Sequence, residues 1–376
     1  MSKRSLFAAA LLVWAGFSSA SESTLDEAVK TPAVTFTSDT DIGLWARFHF
    51  ALHTADFDTT RAFYRVLGFT DGIGGFPLSN THAVARALGM FDLCQYQLEQ
   101  GEVLIFPEAI NTTGIDLLQF REPFNTAPPY ARPNHLGMAY ATLLTSDLSA
   151  DYRLLKDKGV DFISAPFGTP GNRFVFLRDP DGVLLKLEEA ALPQNRVEDR
   201  THILGMPYIG INVSDLDASL TFYRRFGYTE VRPLNEQTLS VEEAAAWGLE
   251  GEAKYRGADI AIARGDQHRL RLLQWIKPFD PEPAYPPPIN HKGINRLALT
   301  VPDVERAVRI LKAQGVPFLS EVAPCCSGTA ADTSGIVHAI DPDGVFLELV
   351  GGIVPRDVPA QPAHCPPLEI RYATPR

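Results

Sequence analysis

Between residues 48 and 69 the chain changes from one hydrophobic rhythm to another. FHFALH alternates apolar and polar positions, as a strand with one buried face does, and after Asp56 the apolar residues Phe57, Ala62, Phe63, Val66 and Leu67 fall at helical spacing. Asp56 stands where a helix N-cap belongs, and Gly68 where a helix-ending glycine does. The same unit recurs at residues 207–228, with Asp215 as the cap, Phe222-Tyr223 matching Phe63-Tyr64, and Gly227 matching Gly68. Shorter echoes follow each copy: a strand at 138–144 leads to Asp147 and a helix ending at Gly159, and Asp303 to Gly315 lies 156 residues further on.

Each strand–cap–helix is followed by strand-like runs, and the even-numbered units close on the turns Asp179-Pro180-Asp181-Gly182 and Asp341-Pro342-Asp343-Gly344. Proline-rich connectors, PFNTAPPYARPNH and PFDPEPAYPPPINH, end on Asn134-His135 and Asn290-His291, again 156 residues apart. Four units of strand, helix and three strands predict α+β structure, with antiparallel hairpins and helices on one face. Two such units per module would curve mixed sheets around a cleft, the usual place for a small ligand. The boundaries read 1–20 leader, 21–44 linker, 45–190 first module, 191–203 linker, 204–352 second module and 353–376 proline-rich tail.

Composition changes this picture at three points. A net charge of −11 argues against nucleic acid, whose phosphates need a basic patch. Residues 1–20 read as a secretory signal: Lys3 and Arg4, an apolar run, then Ser18-Ser19-Ala20 as a cleavage site near Ala20. That predicts a periplasmic or secreted protein, with no membrane association after cleavage. Export permits disulfides. Of the four cysteines, Cys365 is expected to bridge to Cys325 or Cys326, with Cys94 a buried apolar residue.

The pattern D-x-D-x-x-x-x-FYR-x-x-G-[FY] at Asp56 to Phe69, varied at Asp215 to Tyr228, and the two DPDG turns resemble the vicinal-oxygen-chelate superfamily. That superfamily includes glyoxalase I, extradiol dioxygenases and bleomycin-resistance proteins. The resemblance spans about residues 45–352 and implies its fold; for reaction type it is nearly silent. It also implies that the first strands present His49, Tyr140, Tyr208 and Arg296 to the cleft, and the last strands Asp116, Lys186, Arg271 and Glu348. Only one of these eight is a histidine, and three are cations unable to ligate a metal. No cofactor is therefore favoured. A divalent metal held by His49, Asp116 and Glu348 requires the first unit to face the fourth.

The residues leave their roles open. His49 and Glu348 are candidates to move a proton, or His49 bonds Asp116 and Glu348 pairs with Arg296. Lys186 faces the cleft or pairs with Asp116 or Glu188. Arg271 and Arg296 clamp a substrate carboxylate, or Arg271 lies on a solvated rim beside Arg269. Tyr140 and Tyr208 line the pocket. His135 and His291 read as structural turn residues. The resulting expectation is an exported glyoxalase- or dioxygenase-like enzyme, its metal site degenerate, acting on a small, oxygenated, anionic molecule. The alternative is a non-catalytic small-molecule binder of the bleomycin-resistance type, and a third is a degenerate module used for packing. The chain would be a monomer with internal pseudo-symmetry or a homodimer.

Overall fold

A computed structural model describes residues 34–73, 77–106, 113–190, 200–263, 265–280, 289–325, 333–354 and 360–367. The expected leader lies outside them. The first unit comprises β1 (Ala46–His53), α1 (Phe57–Val66), β2 (Thr70–Ile73), α2 (His82–Ala87), β3 (Gln97–Ile105) and β4 (Gly114–Glu122). The second has β5 (Tyr140–Thr145), α3 (Leu148–Asp157), β6 (Phe167–Thr169), β7 (Asn172–Arg178) and β8 (Leu184–Glu189). After β9 (Ile203–Gly205), the third runs through β10 (Ile209–Asn212), α4 (Leu216–Arg225), β11 (Tyr228–Leu239), α5 (Val241–Ala246), β12 (Ala253–Ile262) and β13 (Gly265–Lys277). The fourth has β14 (Gly293–Asp303), α6 (Val304–Ala313), β15 (Ala323–Pro324), β16 (Ser334–Ile340) and β17 (Phe346–Gly352).

The long helices start where the aspartates dictate. Asp56, Asp147, Asp215 and Asp303 each accept a hydrogen bond from a first-turn backbone N–H, meeting a donor the helix itself cannot satisfy. Each helix then ends at a glycine with positive φ: Gly68 at 103°, Gly159 at 81°, Gly227 at 101° and Gly315 at 79°. The two signature motifs meet in space. Tyr64 of the FYR run donates to Asp179 of the first DPDG turn at 3.1 Å, and Tyr223 to Asp341 of the second at 3.0 Å.

Strand pairing crosses the modules. One sheet runs β15-β16-β17-β14-β1-β4-β3-β2, joining the fourth unit to the first; the other runs β11-β12-β13-β10-β5-β8-β7-β6, joining the third to the second. The apolar outer faces of both sheets and the four long helices share one core, including Phe50, Tyr64, Leu185, Tyr223 and Leu347. The short helices α2 and α5 cover the opposite, concave faces, each over its own cluster. The repeated connectors clasp the halves reciprocally. Asn134 Nδ2 donates to the Pro278 carbonyl at 3.0 Å, and Asn290 Nδ2 to that of Pro123 at 2.6 Å.

Two expectations change. Val160-Asp161-Phe162-Ile163, which alternates like the strand-like runs expected after each helix, forms no strand, only an isolated bridge from Phe162 to Leu177. Cys365 is bonded to Cys94 and not to Cys325 or Cys326, so Cys94 is a cross-link where the sequence suggested a buried thiol. The tail returns over α2, where Gln361 accepts from the His82 N–H at 3.0 Å and donates to the Cys94 carbonyl at 3.3 Å. That route brings Cys365 to the first unit. Cys325 is disulfide-bonded too, and Cys326 lies outside the described residues.

Candidate functional site

The eight cleft positions separate into two centres, one per sheet. In the first, adjacent strands β17, β14, β1 and β4 supply Glu348, Arg296, His49 and Asp116. Register puts them on one face. Ala51 lies opposite both Arg296 and Asp116, while His49 lies opposite Ala298, itself beside Glu348. Arg296 bridges the two acids, through Nε to Glu348 Oε2 at 2.8 Å and through Nη2 to Asp116 Oδ2 at 2.5 Å. His49 Nε2 sits 3.5 Å from Glu348 Oε2 and 3.8 Å from Asp116 Oδ2. All four side chains are at least nine-tenths buried. Burial pushes the Glu348 carboxyl upward, but the Arg296 guanidinium and His49 more than reverse this, holding it well below the usual carboxylate range. Glu348 is therefore a fixed anion and not a proton donor near neutrality.

Neither ring nitrogen of His49 has a hydrogen-bond partner, nor do Asp116 Oδ1 and His338 Nε2. Buried polar atoms left unpaired are uncommon in folded proteins, which makes this face a candidate for a functional role. His338, opposite Glu348 on β16, was not singled out by the sequence pattern; its only signal is a histidine within the apolar run Ile336–Ile340. Its Nδ1 bonds the Ala87 carbonyl of α2 at 2.8 Å, and burial pulls its pKa down to about 4. The unfolded chain takes up a proton near pH 6.5 that the folded chain refuses until about pH 4. His338 thus lends stability that is present above pH 6.5 and lost as the pH falls toward 4, on the order of 3 kcal/mol. Unfolding free energy measured against pH should fall less steeply over this window in His338→Gln.

The donor set does not fit the divalent metal that the resemblance implies. The carboxylate oxygens facing His49 are the same two that Arg296 already occupies, and a guanidinium offers no lone pair. A metal among them would stand against a fixed positive charge. Among the described residues the ligand trio gathered within 4.8 Å is Cys94, His364 and Cys365. Both of its sulfurs are spent in the disulfide.

The second centre holds Tyr140, Lys186, Tyr208 and Arg271; Arg271 lies in the other sheet from His49, and Tyr208 directly before that sheet's β10, so neither orients a substrate at His49. Lys186 Nζ donates to Glu188 Oε1 at 2.7 Å and lies 4.3 Å from the Trp247 ring centre and 4.6 Å from that of Phe174. Tyr208 donates to the same Glu188 oxygen at 2.5 Å. Arg271 stacks 3.8 Å over the Tyr208 ring and forks onto Asp259, at 2.7 and 3.1 Å. Burial lowers the Lys186 pKa, partly countered by Glu188. The Tyr140 hydroxyl is buried and unpartnered. Asp259 and Trp247 lie outside the family's cleft positions, and only folding brings them here. His135 is a turn residue held by Asp280 at 3.1 Å and stacked on Tyr130.

The architecture is thus that of a tandem βαβββ protein whose units pair across modules to make two cleft centres. The chain belongs to the Glyoxalase/Bleomycin resistance protein/Dioxygenase superfamily, whose family model matches residues 47–187 and 205–349. Glyoxalase I from Zea mays has a similar fold at 17% identity, with 81% of this chain and 92% of that one covered and a TM-score of 0.52. A point mutant of the same maize enzyme gives 18%, 81%, 93% and 0.53. A putative dioxygenase from Bacillus subtilis subsp. subtilis str. 168 covers 82% of this chain and 86% of its own at 12% identity, with a TM-score of 0.46, too distant in shape to bear on function. No curated protein matches the chain in sequence.

Proposed function

We propose that the His49 centre is a metal-independent proton-transfer site acting on a small oxygenated molecule, in an exported member of this superfamily. The reading rests on one observation: an imidazole with neither nitrogen in a hydrogen bond, wedged between two carboxylates that Arg296 bridges. His49 would take an acidic proton from the substrate, and Glu348 and Asp116 would stabilise the resulting imidazolium. Arg296 positions the acids. Its charge is outweighed by two carboxylates, so this centre suits a neutral ligand better than the anion expected from the sequence. Export is supported by the Cys94–Cys365 bond, since structural disulfides belong to oxidising compartments.

The test is deuterium exchange into thiol hemithioacetals, catechols and small carboxylates, followed by NMR on protein dialysed against chelator. Turnover should survive dialysis, and His49→Gln should lower it by roughly a hundredfold or more. A requirement for added metal ends the reading. The second reading, a binder, is favoured by the internal neutralisation of Arg296, which leaves no free electrophile at the centre. Ligand-raised thermal stability without exchange, in wild type and His49→Gln alike, is its signature.

A further inference from the structure

We propose that the nine-stranded sheet carries a second ligand site, independent of His49, which takes a small flat carboxylate between Lys186 and Tyr140. The two centres occupy equivalent positions in the repeated units, with opposite charge. Where the first has His49, Asp116, Arg296 and Glu348, the second has Tyr208, Arg271, Tyr140 and Lys186. In the first, one guanidinium faces two carboxylates. Around the second, Lys186, Arg232, Arg269 and Arg271 face Glu188, Glu243 and Asp259. Only the second has the sign to attract an anion.

Its donors are not all used. An ammonium has three hydrogens. One of those on Lys186 goes to Glu188, while the neighbours on its other sides are the faces of Phe174 and Trp247, with Phe176 at 5.9 Å. A ring face attracts the charge but accepts no strong hydrogen bond, so a carboxylate oxygen is a better partner. The Tyr140 hydroxyl, on a residue only 1% exposed, has no partner at all. Its ring lies 5.3 Å from Phe176 and 5.9 Å from Trp247, two of the rings that bracket the Lys186 ammonium. Two unspent donors thus share one aromatic wall, which selects a flat partner. Glu188 already shows how the centre holds a carboxylate: its Oε1 receives Lys186 and Tyr208, with Arg271 Nη1 at 3.9 Å. Glu188 and Arg271, at the edge of the buried donors, are each 23% exposed at the side chain.

Benzoate is the probe, titrated into the full oxidised chain by calorimetry with tryptophan fluorescence as a local report from Trp247. Saturable millimolar binding is expected, and Lys186→Met or Tyr140→Phe should each weaken it by about tenfold or more, as loss of a hydrogen bond to a charged group does. Benzamide, of the same shape without the charge, should bind as weakly as the variants. His49→Gln should bind benzoate like wild type, so this site and the proton-transfer reading fail separately. Tyr140→Phe removes only an unpaired hydroxyl, which keeps the test valid if Lys186→Met does not fold. No saturable benzoate binding, binding that survives Tyr140→Phe unchanged, or binding lost with His49→Gln overturns the proposal.

Discussion

Replacing Arg296 with glutamine should convert the His49 centre into a divalent-metal site. In the native protein the guanidinium fills the space between Asp116 and Glu348 and neutralises the two oxygens that face His49. Glutamine keeps much of the side-chain stem and removes the charge. It leaves one imidazole and two carboxylates, a nitrogen–oxygen–oxygen set suited to a hard or borderline ion. Without metal, Arg296→Gln should be destabilised by roughly 3–5 kcal/mol, because two buried carboxylates lose their shared counter-ion. Zinc should return a comparable amount, about 4 kcal/mol at a thousandfold excess over its dissociation constant. Denaturant unfolding with and without zinc measures both effects, and elemental analysis after dialysis counts the ion retained. If the variant loses stability and zinc restores none of it, Arg296 is not what stands in the way of a metal at this centre.

That prediction depends on the pairing of the first unit with the fourth, which the sequence leaves undecided. The units themselves were legible because strand and helix have different hydrophobic periods and the change falls on an aspartate each time, at Asp56, Asp147, Asp215 and Asp303. Their partners were not legible, because each unit offers a neighbour the same alternating strand. The cleft positions could therefore be named through the family resemblance, but not divided between the two sheets. Helices α2 and α5 went unread for another reason: at six residues each they are too short for a periodic signal. Ser240 and Glu243 nonetheless carry a capping-box spacing that marks the start of α5, and the Ser240 hydroxyl accepts from the Glu243 N–H at 3.1 Å. Trp247 then reaches the second centre from the end of that helix.

Cutting the tail's cross-link should loosen the cover of the first centre. Cys94 and Cys365 are 271 residues apart, so their bond closes a very long loop and removes much of the unfolded chain's freedom. In Cys94→Ser/Cys365→Ser a loss of roughly 2–5 kcal/mol in unfolding free energy is expected, the range for a native disulfide. The loss should not be spread evenly. Gln361 holds the start of α2 through the His82 N–H, and the Ala87 carbonyl at the other end of α2 holds His338, which lies opposite Glu348 in the sheet. Detaching the tail therefore removes support from one side of a helix whose other end steadies the centre. Amide exchange should quicken first in residues 82–88, while the long helices keep their protection, because their buried faces belong to the shared core. Uniform acceleration across both sheets would mean that the bond stabilises the whole chain without reaching the centre through α2.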